Sequence, residues 1–471
     1  MKIFHEWLPL VNNSRCKVDQ DNDLSASRVV FARVLYVSLL TLIHIGIRIS
    51  SKDIPLSFRF SESVYRSRVL IRCNISVRRI GGEASTMMRR STLNRTLKYM
   101  FILFGIWPDM SCVLVCRIFW VVSLGLVEYC HYHYFLTHIY TAELLDLVDC
   151  LCSFLAYGKV LIKFILFWLK QRNFIEILSM MSDDWDECAK SDSGFHEAEC
   201  KAKTSDRIMN SIVMLHTMTI IGYCSGIVLN DVDITDRTTE LPYVDKLDIP
   251  FNVNTQLTYR SILIVEFLFV IMCAWAAGVT NALLLSLTLH VAGQMDILRK
   301  CFTQLVPRAN EDKYQSIVTL NQIIKKHQKI INFSKSIENL YTQIAFLQFA
   351  SNMIMICSLG FLIVTAIGSP NAVEQIMRSL LFYTITNLEA FIFCFAGEYL
   401  SNKSKLIGIA AYNTEWYDLK PKDGRILLFI ILRSQKQLTL TAGKITELSL
   451  QSFASIMNAS GTYLSVLLAM K

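Results

Sequence analysis

The stretch YRSILIVEFLFVIMCAWAAGVTNALLLSLTLH, residues 259–290, decides the fold class of this chain. Arg260 and Glu266 are its only Asp, Glu, Lys or Arg residues. Crossing a bilayer as a helix takes about 20 residues. In hydrocarbon, only helices and closed barrels satisfy all of their own backbone hydrogen bonds. Because the block is far too long for a barrel strand, it predicts a membrane-spanning helix.

Other apolar blocks of similar length lie on both sides of this one. The 471-residue chain is 53% hydrophobic and only 18% charged, which is less charge than a soluble domain usually carries. The blocks predict an all-α membrane protein, a seven-transmembrane helical bundle, with spans at 111–135, 142–168, 208–229, 259–290, 341–367, 376–398 and 445–470.

The distribution of Lys and Arg between the spans predicts the orientation of the bundle. The segments 169–207, 294–340 and 399–424 are rich in both residues, whereas 230–258 has only Arg237 and Lys246 among many acidic residues. Basic loops stay on the cytoplasmic side. We therefore expect a cytoplasmic N-terminus and an extracellular C-terminus, the reverse of a G-protein-coupled receptor. Apolar residues at helical spacing also predict helices at 169–187 and 313–340, packed as a cytoplasmic bundle.

Residues 1–90 differ from the rest of the chain. Their apolar stretch 34–47 is short for a span, and a basic, Ser- and Arg-rich segment follows it. We interpret 1–90 as a basic, poorly ordered N-terminal extension and 91–471 as the membrane domain. The alternative is a span at 29–49, which would give eight crossings and an extracellular N-terminus.

The motifs of common enzymes are missing from the sequence. There is no Gly-x-Ser-x-Gly, no Walker loop and no His-Glu-x-x-His, so we expect neither an enzyme nor a cofactor. Cys130, His131, His133 and His138 admit a metal site, but a histidine-rich membrane interface is the simpler interpretation. A transporter would show internal repeats and proline-broken spans, which are not evident. The net charge of +8 comes partly from the extension, so it does not indicate a nucleic-acid partner.

Four segments, in order, resemble those of one receptor family. They are LKYMFILFGIWPD at 97–109, LTLHVAGQMDILRKCF at 287–302, FAGEYLSNKSKLIGIAAYNTEWYDL at 395–419 and LRSQKQLTLTAGKITELSLQSFASIMNASGTYLSVLLAM at 432–470. This pattern is similar to that of insect odorant receptors. Thr462-Tyr463 lacks the later Gln-Phe of gustatory receptors, which remain the alternative within the superfamily.

The resemblance implies a function and a set of partners. It implies the odorant-binding subunit of a tetrameric, ligand-gated cation channel, assembled with the odorant receptor co-receptor in the plasma membrane of olfactory sensory neurons and opened by small volatile odorants. The co-receptor has a longer loop after its fourth span than 294–340 here, which favours a tuning subunit.

The resemblance also implies where the odorant binds. It places the pocket among the outer halves of spans two, three, four and six, and such a pocket should be apolar and aromatic. The candidates in those halves are Phe154, Tyr157, Met218, Tyr223, Phe267, Phe269, Phe382, Tyr383 and Asn387. The alternative for each is contact with lipid or simple core packing.

Charged residues inside the predicted spans need partners, because an isolated charge in hydrocarbon is costly. Lys159 and Lys163 lie one turn apart in span two, and both side chains could reach inward. Glu266 and Glu389 lie in spans four and six. A Glu266–Lys159 ion pair is one possible arrangement.

The last span carries the candidate gate. Residues spaced by about one helical turn along this span lie on one face of the helix. That face is a stripe that is polar in its inner part and apolar at its outer end. Its pore and gate candidates are Ser455, Asn458, Thr462, Val466, Ala469 and Met470. The resemblance places Val466 and Met470 at the co-receptor's hydrophobic gate, a kind of constriction that blocks ions by dewetting. In the alternative, the stripe only bonds to neighbouring helices and Val466 faces lipid.

Overall fold

The computed structural model describes residues 93, 95–108, 112–190, 192–229, 242–247, 255–303, 305, 313–368 and 372–469. The predicted extension 1–90 and the candidate gate residue Met470 lie outside this described part of the chain.

Within the described part, ten α-helices follow one another along the chain. They are α1 Arg95–Leu103, α2 Val113–His138, α3 Leu144–Leu169, α4 Gln171–Cys188, α5 Asp192–Leu229, α6 Gln256–Thr303, α7 Lys313–Ala366, α8 Ala372–Tyr412, α9 Pro421–Gln435 and α10 Leu450–Ala469. A 3₁₀ turn, Trp416–Asp418, precedes α9, and two short strands, β1 Thr441–Ala442 and β2 Thr446–Glu447, precede α10.

Six of these helices, α2, α3, α5, α6, α7 and α8, are long and apolar enough to cross a membrane by length and composition. The 20-residue α10, which is richer in Ser, Asn and Thr, occupies the place of the seventh predicted span. The predicted all-α membrane fold is therefore confirmed. Three helices, α6, α7 and α8, extend well beyond a bilayer's thickness, since 48, 54 and 41 residues at about 1.5 Å each exceed 60 Å.

The prediction that the last span begins at 445 is wrong. Residues 446–447 form β2, which pairs antiparallel with β1, and α10 begins at Leu450. Gly443 and Lys444 both have positive φ, of 62° and 60°, and make the tight turn between the strands. The Gly443 N–H donates to the Thr342 carbonyl at 2.8 Å, which fixes the hairpin against α7.

The inner helices confirm the helical segments predicted at 169–187 and 313–340. They are α4 and the first half of α7, and α4 packs against α7 and α5. On α4, the buried Asp184 accepts from His290 Nε2 at 3.0 Å and pairs with Lys329 Nζ at 2.7 Å. Burial alone would raise the pKa of Asp184, but the hydrogen bonds and charges of His290 and Lys329 hold it below its usual value. This cluster ties α4, α6 and α7 together.

The segment Gly105-Ile106-Trp107 closes a buried aromatic cluster. Gly105 has a φ of +64°, which turns the chain after α1 and directs Trp107 inward. The Trp107 ring contacts Phe174 of α4 edge to face, with the ring centroids 6.2 Å apart. Arg117 Nε of α2 donates to the Gly105 carbonyl at 3.1 Å. The turn therefore anchors α1 against α2 and α4.

Candidate functional site

A cavity of about 110 Å³ lies in the bundle and is lined by α3, α5, α6, α8 and residues 242–247. Residues 242–247, which we name the capping segment, lie between α5 and α6 in the chain. An apolar protein cavity of about 150 Å³ holds a benzene-sized molecule, so this one suits a ligand of similar or smaller size. It is lined by Ser153, Ala156, Tyr157, Lys159, Val160, His216, Thr219, Ile220, Tyr223, Asp245, Val270, Cys273, Ala274, Ala277, Phe382, Ile385, Thr386 and Glu389.

Much of the cavity wall is apolar and aromatic. Tyr223 of α5 and Phe382 of α8 contact each other edge to face, with ring centroids 6.1 Å apart. Val270 and Ala277 of α6 also line the wall. Such a surface binds small apolar molecules through their shape, because it offers dispersion contacts and little hydrogen bonding.

The capping segment places a carboxylate at one end of the cavity. Asp245 is buried and accepts hydrogen bonds from Ser153 Oγ, at 2.9 Å, and from the Tyr157 hydroxyl. The backbone N–H groups of Val244 and Asp245 donate to the Glu266 carboxyl at 3.1 and 3.0 Å. Arg378 of α8 donates to the Val244 carbonyl at 3.0 Å. Three helices thus hold the capping segment in place.

A buried ion pair lies on the wall of the same cavity. Lys159 Nζ of α3 lies 2.7 Å from Glu389 Oε2 of α8, and both side chains are 5% exposed. Lys159 also donates to Asn352 Oδ1 at 3.1 Å, and Gln348 Nε2 of α7 donates to Glu389 at 2.6 Å and to Asn352 at 2.9 Å. We name these four residues the buried polar network. It links two cavity helices to α7.

The structure corrects the Glu266–Lys159 pair considered from the sequence. Lys159 pairs with Glu389, and Glu266 instead accepts the two backbone N–H groups of the capping segment. Sequence spacing does not give the rotation of each helix about its own axis, which decides the partners. Lys163 reaches Asn281 of α6 at 3.5 Å, at the limit of a hydrogen bond.

The structure brings three of the nine predicted ligand-binding residues onto the cavity: Tyr157, Tyr223 and Phe382. Two others stand behind the wall, because Phe269 contacts the Tyr157 ring at 5.9 Å and Phe267 packs near Tyr223. The remaining candidates lie elsewhere: Tyr383 packs against a separate core cluster, Met218 is 57% exposed, and Phe154 and Asn387 are absent from the lining. The odorant-binding role of all nine stays a prediction.

Sequence reasoning missed His216, Thr219, Asp245 and Thr386 as lining residues. A search for aromatic side chains passes over them, and Asp245 stands among several acidic residues of its loop. The useful signal was the intramembrane charge, because Lys159 and Glu389 both line the cavity.

The histidine-rich end of α2 does not assemble as a cluster. His131 is buried and its Nδ1 lies 2.8 Å from the Val127 carbonyl, whereas His133 is exposed. Among the described residues, no three His, Cys, Asp or Glu side chains are grouped to hold a metal ion.

The candidate pore residues share one exposed face of α10. Ser455, Asn458, Thr462, Val466 and Ala469 are all exposed, Val466 by 52%. The opposite face packs on α7 and α8, and the buried Ser460 donates to the Met353 carbonyl at 3.4 Å. The pore role of the exposed stripe stays a prediction.

Comparison with known proteins completes the description. Residues 143–461 match the family model described as the 7tm odorant receptor. Odorant receptor 13a of Drosophila melanogaster is 28% identical over 191 residues, 38% of this chain and 45% of that receptor, so the match spans less than half of the relative's length. Odorant receptor 9a of the same fly is 23% identical over 347 residues, 70% of this chain and 83% of that receptor.

A solved structure shares the fold. The insect olfactory receptor OR5 from Machilis hrabei, in complex with eugenol, superposes with a TM-score of 0.66. The match covers 80% of this chain and 98% of that one, at 13% sequence identity.

Proposed function

The chain belongs to the 7tm odorant receptor family, and from that premise we propose that it is the odorant-binding subunit of a ligand-gated, non-selective cation channel working with the odorant receptor co-receptor. It is a multi-pass membrane protein and a receptor rather than an enzyme. Beyond family membership, four properties are proposed: the channel activity, the partnership with the co-receptor, assembly as a hetero-tetramer, and location in the plasma membrane of olfactory sensory neurons.

The cavity is the single observation that carries the odorant-binding role. Its wall is mostly apolar, and its volume suits a small volatile molecule. It lies among α3, α5, α6 and α8, the helices that contain predicted spans two, three, four and six. The solved relative with this fold is complexed with eugenol, itself a small organic molecule, which supports a ligand of that kind here.

The exposed polar stripe of α10 supports the channel role. Ser455, Asn458 and Thr462 would each meet hydrocarbon if this face were turned to lipid, which is unfavourable for polar side chains. Copies of α10 around a central axis would give these residues water or a neighbouring helix. Val466 then lies toward the apolar outer end, as the constriction that dewets when closed.

Two finer features of the proposal come from the sequence. The basic inner segments support a cytoplasmic N-terminus and an extracellular C-terminus. The extension 1–90 is proposed to be dispensable, since the family match begins at residue 143. The described residues of the buried aromatic cluster also all follow position 90. A chain beginning at Ser91 should reach the cell surface and respond to odorants as the full chain does. Loss of either property would contradict this part of the proposal.

Paired recording tests the channel proposal. Cells expressing this chain alone, the co-receptor alone, or both are exposed to a broad panel of volatile compounds, with and without a block of G-protein signalling. We expect odorant-evoked cation current only when both chains are present. A current from this chain alone that disappears with the G-protein block would instead support a G-protein-coupled receptor.

A further inference from the structure

The hydrogen-bonding groups around the cavity define a class of ligand. We infer that the cavity selects small volatile molecules carrying a hydroxyl group, alcohols and phenols, over ketones, esters and ethers of the same size. This inference deepens the proposed function and rests on it. The wall groups that keep an unused donor or acceptor determine which ligands bind.

The first observation concerns His216 of α5. Its Nδ1 lies 2.9 Å from the Ile212 carbonyl. A carbonyl only accepts, so Nδ1 carries the hydrogen and, in the neutral ring, Nε2 keeps a lone pair. The ring lines the cavity and is 2% exposed, and its Nε2 is buried without a hydrogen-bond partner in the described part of the chain. An unpartnered buried acceptor is unfavourable, and a ligand hydroxyl would satisfy it.

The second observation concerns the hydroxyl groups of the wall. Thr219 donates to the Leu215 carbonyl at 2.9 Å, and Thr386 donates to the Phe382 carbonyl at 2.9 Å. Each of these protons is already committed to protein, so the oxygen offers a ligand only its lone pairs. Neither threonine is free to donate to a ketone or ether oxygen.

The third observation concerns the end beneath the capping segment. Ser153 and Tyr157 both give their protons to Asp245, whose carboxylate has room for further donors. Lys159 directs two of its three N–H groups to Glu389 and Asn352, so at most one N–H remains for a ligand. The polar groups of the wall therefore offer a ligand more acceptors than donors.

A ligand complementary to this wall must bring the donor itself. An alcohol or phenol places its O–H on His216 Nε2 or Asp245 and its hydrocarbon part against Tyr223 and Phe382. A ketone, ester or ether of the same shape brings only another acceptor and leaves His216 Nε2 unpaired. A site that satisfies a ligand hydroxyl discriminates strongly against the analogue that lacks it.

The test measures binding to the purified full chain in lipid nanodiscs, without any need for current. Thermal unfolding midpoints are followed against concentration for two matched pairs, phenol with anisole and cyclohexanol with cyclohexanone, and are converted to apparent affinities. We expect each hydroxyl compound to bind about tenfold more tightly than its partner, the value for roughly one well-formed hydrogen bond. Equal affinities within both pairs, or no binding by phenol and cyclohexanol, would overturn the inference.

Two substitutions test the two ends of the cavity separately. His216→Leu removes the free acceptor, so the phenol-to-anisole ratio should fall toward one. Asp245→Asn adds N–H donors, so cyclohexanone and anisole should gain affinity. Met214→Leu, on the same helix but 66% exposed, should keep the ratios of the original chain. The inference would be overturned if the affinity ratios of both compound pairs stayed unchanged in Asp245→Asn and in a folded His216→Leu. If His216→Leu does not fold, unchanged ratios in Asp245→Asn are sufficient to overturn it.

The outcomes separate this inference from the channel proposal. Selective binding of hydroxyl compounds with no current in the paired recordings upholds the inference and contradicts the channel. Currents evoked equally by both members of each pair uphold the channel and contradict the inference.

Discussion

The buried polar network and the exposed stripe of α10 place polar side chains on helices of the same membrane bundle, but in opposite situations. Lys159, Glu389, Asn352 and Gln348 hydrogen-bond to one another inside the chain. On α10, Ser455 and Thr462 donate to carbonyls one turn earlier, and both residues are exposed. The charges of the buried polar network are therefore paired within one chain, whereas the polar stripe of α10 is exposed on its surface.

This difference separates two tasks of one receptor. A site that must recognise a ligand needs fixed groups, and the buried polar network fixes two cavity helices, α3 and α8, against α7. A helix that must line a shared conduit needs its polar face left free for water and for other subunits. Changes in the buried polar network should therefore affect folding first, and changes in the stripe should affect conduction first.

The largest expected effect is on stability at Glu389. Glu389→Leu leaves the Lys159 ammonium buried without its partner, so the free energy of unfolding should fall by about 3–5 kcal/mol. Thermal or denaturant unfolding of the purified chain measures this. Combining it with Lys159→Met should restore most of the loss, because the uncompensated charge is then gone.

Glu398→Leu is the matched control for that change. Glu398 lies on the same helix, is partly exposed and accepts a hydrogen bond from Asn402 at 3.1 Å. Its loss should change the free energy of unfolding by less than about 1 kcal/mol. A Glu389→Leu chain as stable as the Glu398→Leu chain would remove the contrast between the two regions.

A strong effect on conduction, with little effect on folding, is expected at Val466. Val466→Ser should hydrate the apolar constriction and raise the odorant-free leak current several-fold, and Val466→Trp should lower the conductance. Whole-cell recording with the co-receptor measures both. Val364→Ser makes the same change at a 40% exposed position on α7 and should leave the leak unchanged. Surface-expressed Val466 variants that conduct like the original chain would exclude this residue from the pore.

An intermediate effect is expected on odorant selectivity at Tyr157. Tyr157→Ala removes a ring from the cavity wall and a hydrogen bond to Asp245. It should change the relative affinities of odorants that pack on that ring by about 1–3 kcal/mol. Tyr383→Ala, which lies off the cavity in another core cluster, should change the ranking less. Concentration–response curves over a broad panel distinguish them, and a larger shift from Tyr383→Ala would move the site toward α7.

The smallest expected effect is at Ser460, on the inward face of α10. Its hydroxyl donates to the Met353 carbonyl over 3.4 Å, a long and weak bond. Ser460→Ala should lower the free energy of unfolding by no more than about 1 kcal/mol and leave the leak current unchanged. Unfolding and recording check the two parts. A leak as large as that of Val466→Ser would show that the two faces of α10 are not separate in function.

Part of the candidate site could be anticipated, but not its contacts. The intramembrane charges Lys159 and Glu389 stood out because charge in an apolar block is costly, and both line the cavity. Apolar and aromatic composition found Tyr157, Tyr223 and Phe382 but equally suggested Met218, which is mostly exposed. Asp245 could not be found, because its place depends on a loop folding back onto Glu266.

The amino-acid sequence by itself determined where the membrane-spanning helices lie. Hydropathy is a sum over neighbouring residues. A block such as 259–290 is therefore recognisable as a membrane-spanning segment without information from the rest of the chain. The spacing of apolar residues also predicted the helical inner segments. Hydropathy placed the start of the last span inside the hairpin before α10, where Gly443 and Lys444 turn the chain.

Only the tertiary structure decided which side chains meet. Lys159 and Glu389 are 230 residues apart, and their pairing depends on how α3 and α8 are rotated about their own axes and set against each other. Those rotations minimise the free energy of the whole packed bundle, in which buried polar groups must find partners together. No local stretch of sequence contains that information, so the cavity and its polar ends emerge only when the helices pack.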